Sequence, residues 1–235
     1  MTPKERLIVA LDVDTKEKAF GLVEKLKNDV KIFKVGSELF TSCGPEIIAG
    51  VKKNGSGIFL DLKFHDIPNT VAKSVIAATR LGVSIINVHA LGGYDMMKKA
   101  AEAVKREAKT LTIDPPKLIA VTVLTSTDEN GLKKIGIDDT MEKQVTKLAK
   151  FAKDAGLDGV VASPFEVRLI RKELGEEFII VTPGVRPEWA AANDQKRVAT
   201  PKEAVLNGAD YIVVGRPVIE ASDPAEAARK ILKEI

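Results

Sequence analysis

The sequence predicts an α/β fold, a single-domain (β/α)8 TIM barrel over residues 1–235. Three observations carry this reading. Eight short apolar runs alternate with longer stretches of helical periodicity. The mean repeat is 235/8, about 29 residues, the size of one βα unit. The runs are almost continuously apolar, the mark of parallel strands buried on both faces.

Taken in order, the strands are expected at Leu7–Leu11, Ile32–Val35, Ile58–Leu62, Ile85–His89, Leu118–Leu124, Gly159–Ala162, Phe178–Thr182 and Tyr211–Val214. Each precedes a segment with helical spacing of apolar residues, such as Lys16–Lys27, Met96–Ala108 and Met141–Ala155. A doubly wound open sheet is the main competitor, but no G-x-G-x-x-G follows the first strand. The least regular stretch is Gly184–Pro201, long enough to be a ligand-binding loop.

Composition narrows the function. Hydrophobic residues make up 45% and charged residues 29%, which supports a packed core and argues against general disorder. The balance of 36 basic and 33 acidic residues, +3 overall, suits a small anionic ligand and is too weak to argue for nucleic acid. Trp189 and the eight phenylalanines form no stacking pattern for bases. Cys43 is the one cysteine, so no internal disulfide forms and a reducing compartment is expected. No apolar run approaches the roughly 20 residues that span a bilayer, and the first apolar stretch soon meets charge. A cytoplasmic protein with a small-molecule substrate, and with neither nucleic-acid nor membrane partners, is therefore expected.

Barrel enzymes keep their chemistry at the C-terminal ends of the strands. Asp12 lies there after strand 1, Lys34 on strand 2, and Asp61, Lys63, His65 and Asp66 on or after strand 3. His89 ends strand 4, Thr125 and Ser126 follow strand 5, and Ser163 follows strand 6. Pro183, Gly184 and Arg186 follow strand 7, and Gly215 and Arg216 follow strand 8. Asp61 and Lys63 are two apart on a strand and point to one face, with Leu62 and Phe64 on the other. Lys34 can join them at the barrel mouth. A structural ion-pair network is the plain alternative, although such a cluster is costly to desolvate without a task.

Gly215 with Arg216, and Arg186 and Gln195 in the long loop nearby, suit a phosphate. The alternative is a barrel turn with a surface arginine. Two histidines and one cysteine lack zinc-ligand spacing, and lysines oppose magnesium at Asp12, Asp61 or Asp66. No cofactor or metal is expected. His89 reads as a packed, hydrogen-bonded residue more than as a base. Opposite charges keep lysines ionised, which favours an ammonium acting as acid or electrostatic stabiliser over a Schiff base.

The run Asp61-Leu62-Lys63-Phe64-His65-Asp66-Ile67-Pro68-Asn69-Thr70 resembles the signature of the orotidine 5′-phosphate decarboxylase family. Leu11-Asp12, Phe33-Lys34-Val35-Gly36, Asn87-Val88-His89-Ala90, Leu124-Thr125-Ser126, Thr182-Pro183-Gly184-Val185-Arg186, Ala192-Asn193-Asp194-Gln195 and Val214-Gly215-Arg216 resemble the family's other motifs, in its order. The compact form resembles the bacterial branch. The D-x-K-x-x-D core alone is shared with magnesium-dependent sugar-phosphate decarboxylases and aldolases of the same barrel superfamily, and a non-catalytic phosphate-binding barrel is a further alternative.

The resemblance implies conversion of orotidine 5′-phosphate to uridine 5′-phosphate and carbon dioxide in pyrimidine biosynthesis, without cofactor or metal. It implies that Lys63 donates the proton and that Lys34, Asp61, Lys63 and Asp66 form a catalytic array. Asp66 and Thr70 would serve the neighbouring subunit's site in a homodimer. Asp12 and Lys34 would hold the ribose, Thr125 the pyrimidine, and Arg186, Gln195, Gly215 and Arg216 the phosphate. Ile67 and Pro183 complete the implied substrate contacts. Phosphate binding would drive closure of the 184–201 loop.

Overall fold

A computed structural model describes residues 1–190 and 199–235. Eight parallel strands close into a barrel in chain order. They are β1 (Leu7–Ala10), β2 (Ile32–Gly36), β3 (Gly57–Phe64), β4 (Ile85–His89), β5 (Lys117–Val121), β6 (Gly159–Val161), β7 (Ile179–Pro183) and β8 (Tyr211–Val214). One main outer helix follows each: α1 (Lys16–Leu26), α2 (Glu46–Lys52), α3 (Pro68–Arg80), α4 (Tyr94–Leu111), α5 (Met141–Asp154), α6 (Val167–Leu174), α7 (Pro201–Leu206) and α8 (Pro224–Glu234). The eight expected strands and the barrel are all present. None of the described helices is long and apolar enough to cross a membrane.

The strands read as continuous apolar runs because they serve two cores. Ile8, Ala10, Phe59, Ile85, Ile119 and Val181 fill the barrel interior. Val9, Phe33, Leu60, Ile86 and Ala120 face outward into the layer shared with the helices. With side chains alternating along each strand, both faces must be apolar. Closure also depends on Gly159, where a Cβ would lie 2.2 Å from the Ile179 carbonyl oxygen of the paired strand.

Two strand ends differ from expectation by more than one residue. β5 stops at Val121, not Leu124. The Thr122 N–H and hydroxyl both donate to the Val161 carbonyl, at 3.2 and 2.9 Å. Beyond them Val123 and Leu124 line the mouth, so their apolar character belongs to a cavity wall. β3 runs on to Phe64 and is irregular: Leu60 pairs with Ile86 but Phe64 pairs with Val88. Four residue steps on β3 thus match two on β4. An insertion of two preserves the alternation, so Leu62 and Phe64 still pack outward while Asp61 and Lys63 reach the mouth.

Candidate active site

The inward face of β1–β4 and of β8 changes character toward the C-terminal end. Ala10 is followed two residues on by Asp12, Ile32 by Lys34, Phe59 by Asp61 and then Lys63, Ile85 by Asn87, and Val213 by Gly215. This period of two sets polar groups directly above an apolar floor. They enclose a cavity of about 300 Å³. Asp12, Lys34, Asp61 and Lys63 line it from β1–β3, with Thr125 on the β5 side. Pro183, Gly184, Arg186, Gly215 and Arg216 close it from the β7 and β8 ends. Ala10, Phe59, Val121, Val161 and Val213 form the floor.

The charged side is a row of alternating sign. The Lys34 ammonium lies 2.9 Å from Asp12 Oδ1 and 3.4 Å from Asp61 Oδ2. Lys63 Nζ donates to Asp61 Oδ1 at 2.6 Å. Burial opposes charge on both central groups, and the partners win. Burial would lower the Lys34 pKa, but the Asp61 and Asp12 carboxylates raise it above its ordinary value. Burial would likewise raise the Asp61 pKa. Lys34 and Lys63, with hydrogen bonds from Lys63 and Asn87, hold it below the usual carboxylate value. Both carboxylates of the row therefore already face ammonium groups. Among the described residues no cluster of three His, Cys, Asp or Glu side chains has the grouping a metal ion requires.

Lys63 occupies an unusual backbone position. Its φ is +50°, and the only other described non-glycine residue at positive φ is Thr112, at the C-terminal cap of α4. A left-handed non-glycine residue costs on the order of 1 kcal/mol, and such strain gathers at functional sites. Hydrogen bonds to Asn87 offset it here. The Lys63 N–H donates to Asn87 Oδ1 at 2.8 Å, and Asn87 Nδ2 donates to Asp61 Oδ1 at 2.7 Å.

Other expected residues stand apart from this row. Asp66 and Ile67 in the β3–α3 turn and Thr70 in the first turn of α3 are exposed, Ile67 at 66%. Asp66 Oδ1 accepts a hydrogen bond from the Ile67 N–H at 2.6 Å and forms no ion pair with Lys63 in this chain. Arg186 is buried in the cavity wall and its N–H donates to the Ala199 carbonyl at 2.9 Å. Gln195 and the 192–195 motif lie outside the described residues. His89 stacks on His65 with ring centroids 5.4 Å apart, and its Nδ1 accepts from the Leu91 N–H at 3.3 Å. It is a packed, hydrogen-bonded side chain, as expected.

A model of the orotidine 5′-phosphate decarboxylase / HUMPS family matches residues 5–231. The chain belongs to this family. Its relatives include the orotidine 5′-phosphate decarboxylase of Trichlorobacter lovleyi, 53% identical over 232 residues that cover 99% of this chain and 95% of that protein. The enzyme of the same name from Geobacter sulfurreducens is 52% identical, covering 99% of this chain and 96% of its own. Among solved structures, orotidine 5′-phosphate decarboxylase from Lactobacillus acidophilus superposes with a TM-score of 0.86 at 42% identity, covering 98% of each chain. The one from Pyrococcus horikoshii gives 0.76 at 29% identity, covering 97% of this chain and 98% of its own.

Within this family's barrel, sequence reasoning overlooked the part Asn87 plays, since it entered only as part of a motif. A signal existed: an amide two residues after inward-facing Ile85, in a run that is otherwise apolar. Its two partners were invisible, because they come from the irregular pairing of β3 with β4.

Proposed function

We propose that this chain is a carboxy-lyase that converts orotidine 5′-phosphate to uridine 5′-phosphate and carbon dioxide, using its own side chains and no metal or cofactor. The observation that carries the reading is the Asp12–Lys34–Asp61–Lys63 row in one cavity with Arg186 and Arg216. A nucleotide has an anion at one end and a ring at the other, and the cavity offers guanidinium groups at one side and the alternating row at another. The arginines, Gly215 and Gln195 hold the phosphate. Asp12 and Lys34 take the ribose hydroxyls, and Thr125 and Pro183 meet the pyrimidine.

The chemistry follows from the charges. The bond between the ring carbon and the carboxylate breaks, and its electron pair stays on the ring carbon. The Lys63 ammonium stabilises that developing negative charge and then donates a proton to the same carbon. Water returns a proton to Lys63, and carbon dioxide leaves. Asp61, fixed between two lysines, disfavours the substrate carboxylate more than the carbanion. Because Asp12 and Asp61 are already paired with ammonium groups, a divalent cation would have to displace them, which argues against the magnesium-dependent branch.

In this reading the enzyme is a cytoplasmic homodimer acting in pyrimidine biosynthesis. The exposed Asp66, Ile67 and Thr70 reach the partner's site and complete its charged array, and Cys43 is a thiol in a reducing compartment. The test is loss of orotidine 5′-phosphate absorbance with purified protein in excess EDTA. Fast turnover is expected. Turnover of a sugar phosphate only, and only with magnesium, would overturn the reading. Mixing inactive Lys63→Ala and Asp66→Ala chains should restore activity, because one of the two sites in a mixed dimer is intact. Subunit exchange without recovery would remove Asp66 from the shared site.

A further inference from the structure

We infer that Asn87 is a positioning residue, which holds the Lys63 backbone and the Asp61 carboxylate in the arrangement that proton delivery requires. The inference rests on the decarboxylation reading above and names a residue that the motif reading left without a role. Asn87 is fully buried at 0% exposure. Its Oδ1 accepts from the Lys63 N–H at 2.8 Å, and its Nδ2 donates to Asp61 Oδ1 at 2.7 Å. The same Asp61 Oδ1 accepts from Lys63 Nζ at 2.6 Å. The three residues thus form a closed ring from the Lys63 backbone, through the amide and the carboxylate, back to the Lys63 ammonium. The orientation of the amide is fixed by chemistry, since a backbone N–H can only donate and an ionised carboxylate can only accept.

The register explains why this residue has the task. Between the Leu60–Ile86 and Phe64–Val88 pairs, β3 contributes Asp61, Leu62 and Lys63, while β4 contributes Asn87 alone. The regular ladder cannot continue there. The Asn87 side chain supplies an acceptor that the β4 backbone does not offer to the Lys63 N–H. It does so where Lys63 adopts φ +50°, a conformation lysine leaves readily unless its surroundings hold it. Without the amide, Lys63 relaxes toward extended backbone and its ammonium moves relative to Asp61. An error of about 1 Å at the reacting centre costs on the order of 100-fold in rate.

Two full-length variants test this with orotidine 5′-phosphate. Asn87→Leu removes donor and acceptor at similar volume. It should lower kcat about 100-fold while KM changes by less than about threefold. Asn87→Asp is the sharper probe. Ionised, its carboxylate opposes Asp61 and cannot donate. Protonated, its carbonyl accepts from the Lys63 N–H and its hydroxyl donates to Asp61, as the amide does. Its kcat relative to the parent should therefore rise as pH falls, which a purely structural role would not produce. It also covers the case in which Asn87→Leu does not fold. Equal kcat in parent and variants, a loss confined to KM, or a pH profile parallel to the parent's would overturn the inference.

A parent enzyme without turnover would defeat the functional reading and leave the positioning claim to geometry. Crystal structures of the variants then decide it. Lys63 leaving positive φ and parting from Asp61 supports the role, and an unmoved Lys63 overturns it.

Discussion

Replacing Asp61 by asparagine removes one negative charge from the centre of the row while keeping the shape of the side chain and an oxygen that can still accept from Asn87. The two ion pairs it breaks are not equal. Lys34 and Asp61 are each only 12% exposed, so their 3.4 Å contact is a buried pair. Lys63 is 37% exposed, and its contact is worth correspondingly less in water. Breaking a buried pair by removing one partner costs about 3–5 kcal/mol. Asp12 remains 2.9 Å from Lys34, so the lower end applies, about 3 kcal/mol. At about 2–4 °C per kcal/mol for a chain of this size, Tm should fall by about 6–12 °C at pH 7. The gap should narrow in acid. A carboxylate whose folded pKa is depressed stabilises the fold above its ordinary value, 3.8, and loses that contribution as pH drops through the lower folded value. Scanning calorimetry on the parent, Asp61→Asn, Lys34→Met and the double variant measures the coupling. It should be on the order of 1–3 kcal/mol, so that the double variant loses less than the sum of the singles. A Tm within about 2 °C of the parent, or strict additivity, would refute the claim that this pair is buried and coupled.

Two further stability measurements address groups beside and beneath the site. The Thr182 hydroxyl on β7 is buried and has no hydrogen-bond partner among the described residues, so Thr182→Val should stabilise by about 1–2 kcal/mol and raise Tm in the same calorimetric assay. A lower Tm would mean that the hydroxyl is satisfied in solution. His89 is held below its ordinary 6.5 by burial, by His65 and by Lys63, so the folded chain binds fewer protons than the unfolded chain just below that pH. Stability should therefore decline as pH falls from 6.5, and His89→Gln should flatten that slope in chemical unfolding, where identical slopes would exclude His89 as the source.

Much of this barrel is legible in one dimension. A buried parallel strand needs apolar residues on both faces, so runs such as Tyr211–Val214 announce themselves by composition. The position of the site follows from the same logic, because Lys34, Asp61 and Lys63 stand in the C-terminal half of an apolar strand and Asp12 just beyond one. Resemblance then supplied roles that spacing alone left open between an ion-pair network and a catalytic array.

Tertiary structure decided the rest. Strand length was misjudged at β5, where Val123 and Leu124 are apolar because they wall a cavity, a distinction that composition does not encode. Asp61 and Lys63 share a face as their spacing predicts, and that alternation survives an irregular pairing in which four steps of β3 match two of β4. The left-handed Lys63 and the amide ring closed by Asn87 follow from that register. Inter-strand register depends on how whole strands pack when a sheet closes on itself, so local sequence carries the residue types of the site, and closure of the barrel sets the distances between them.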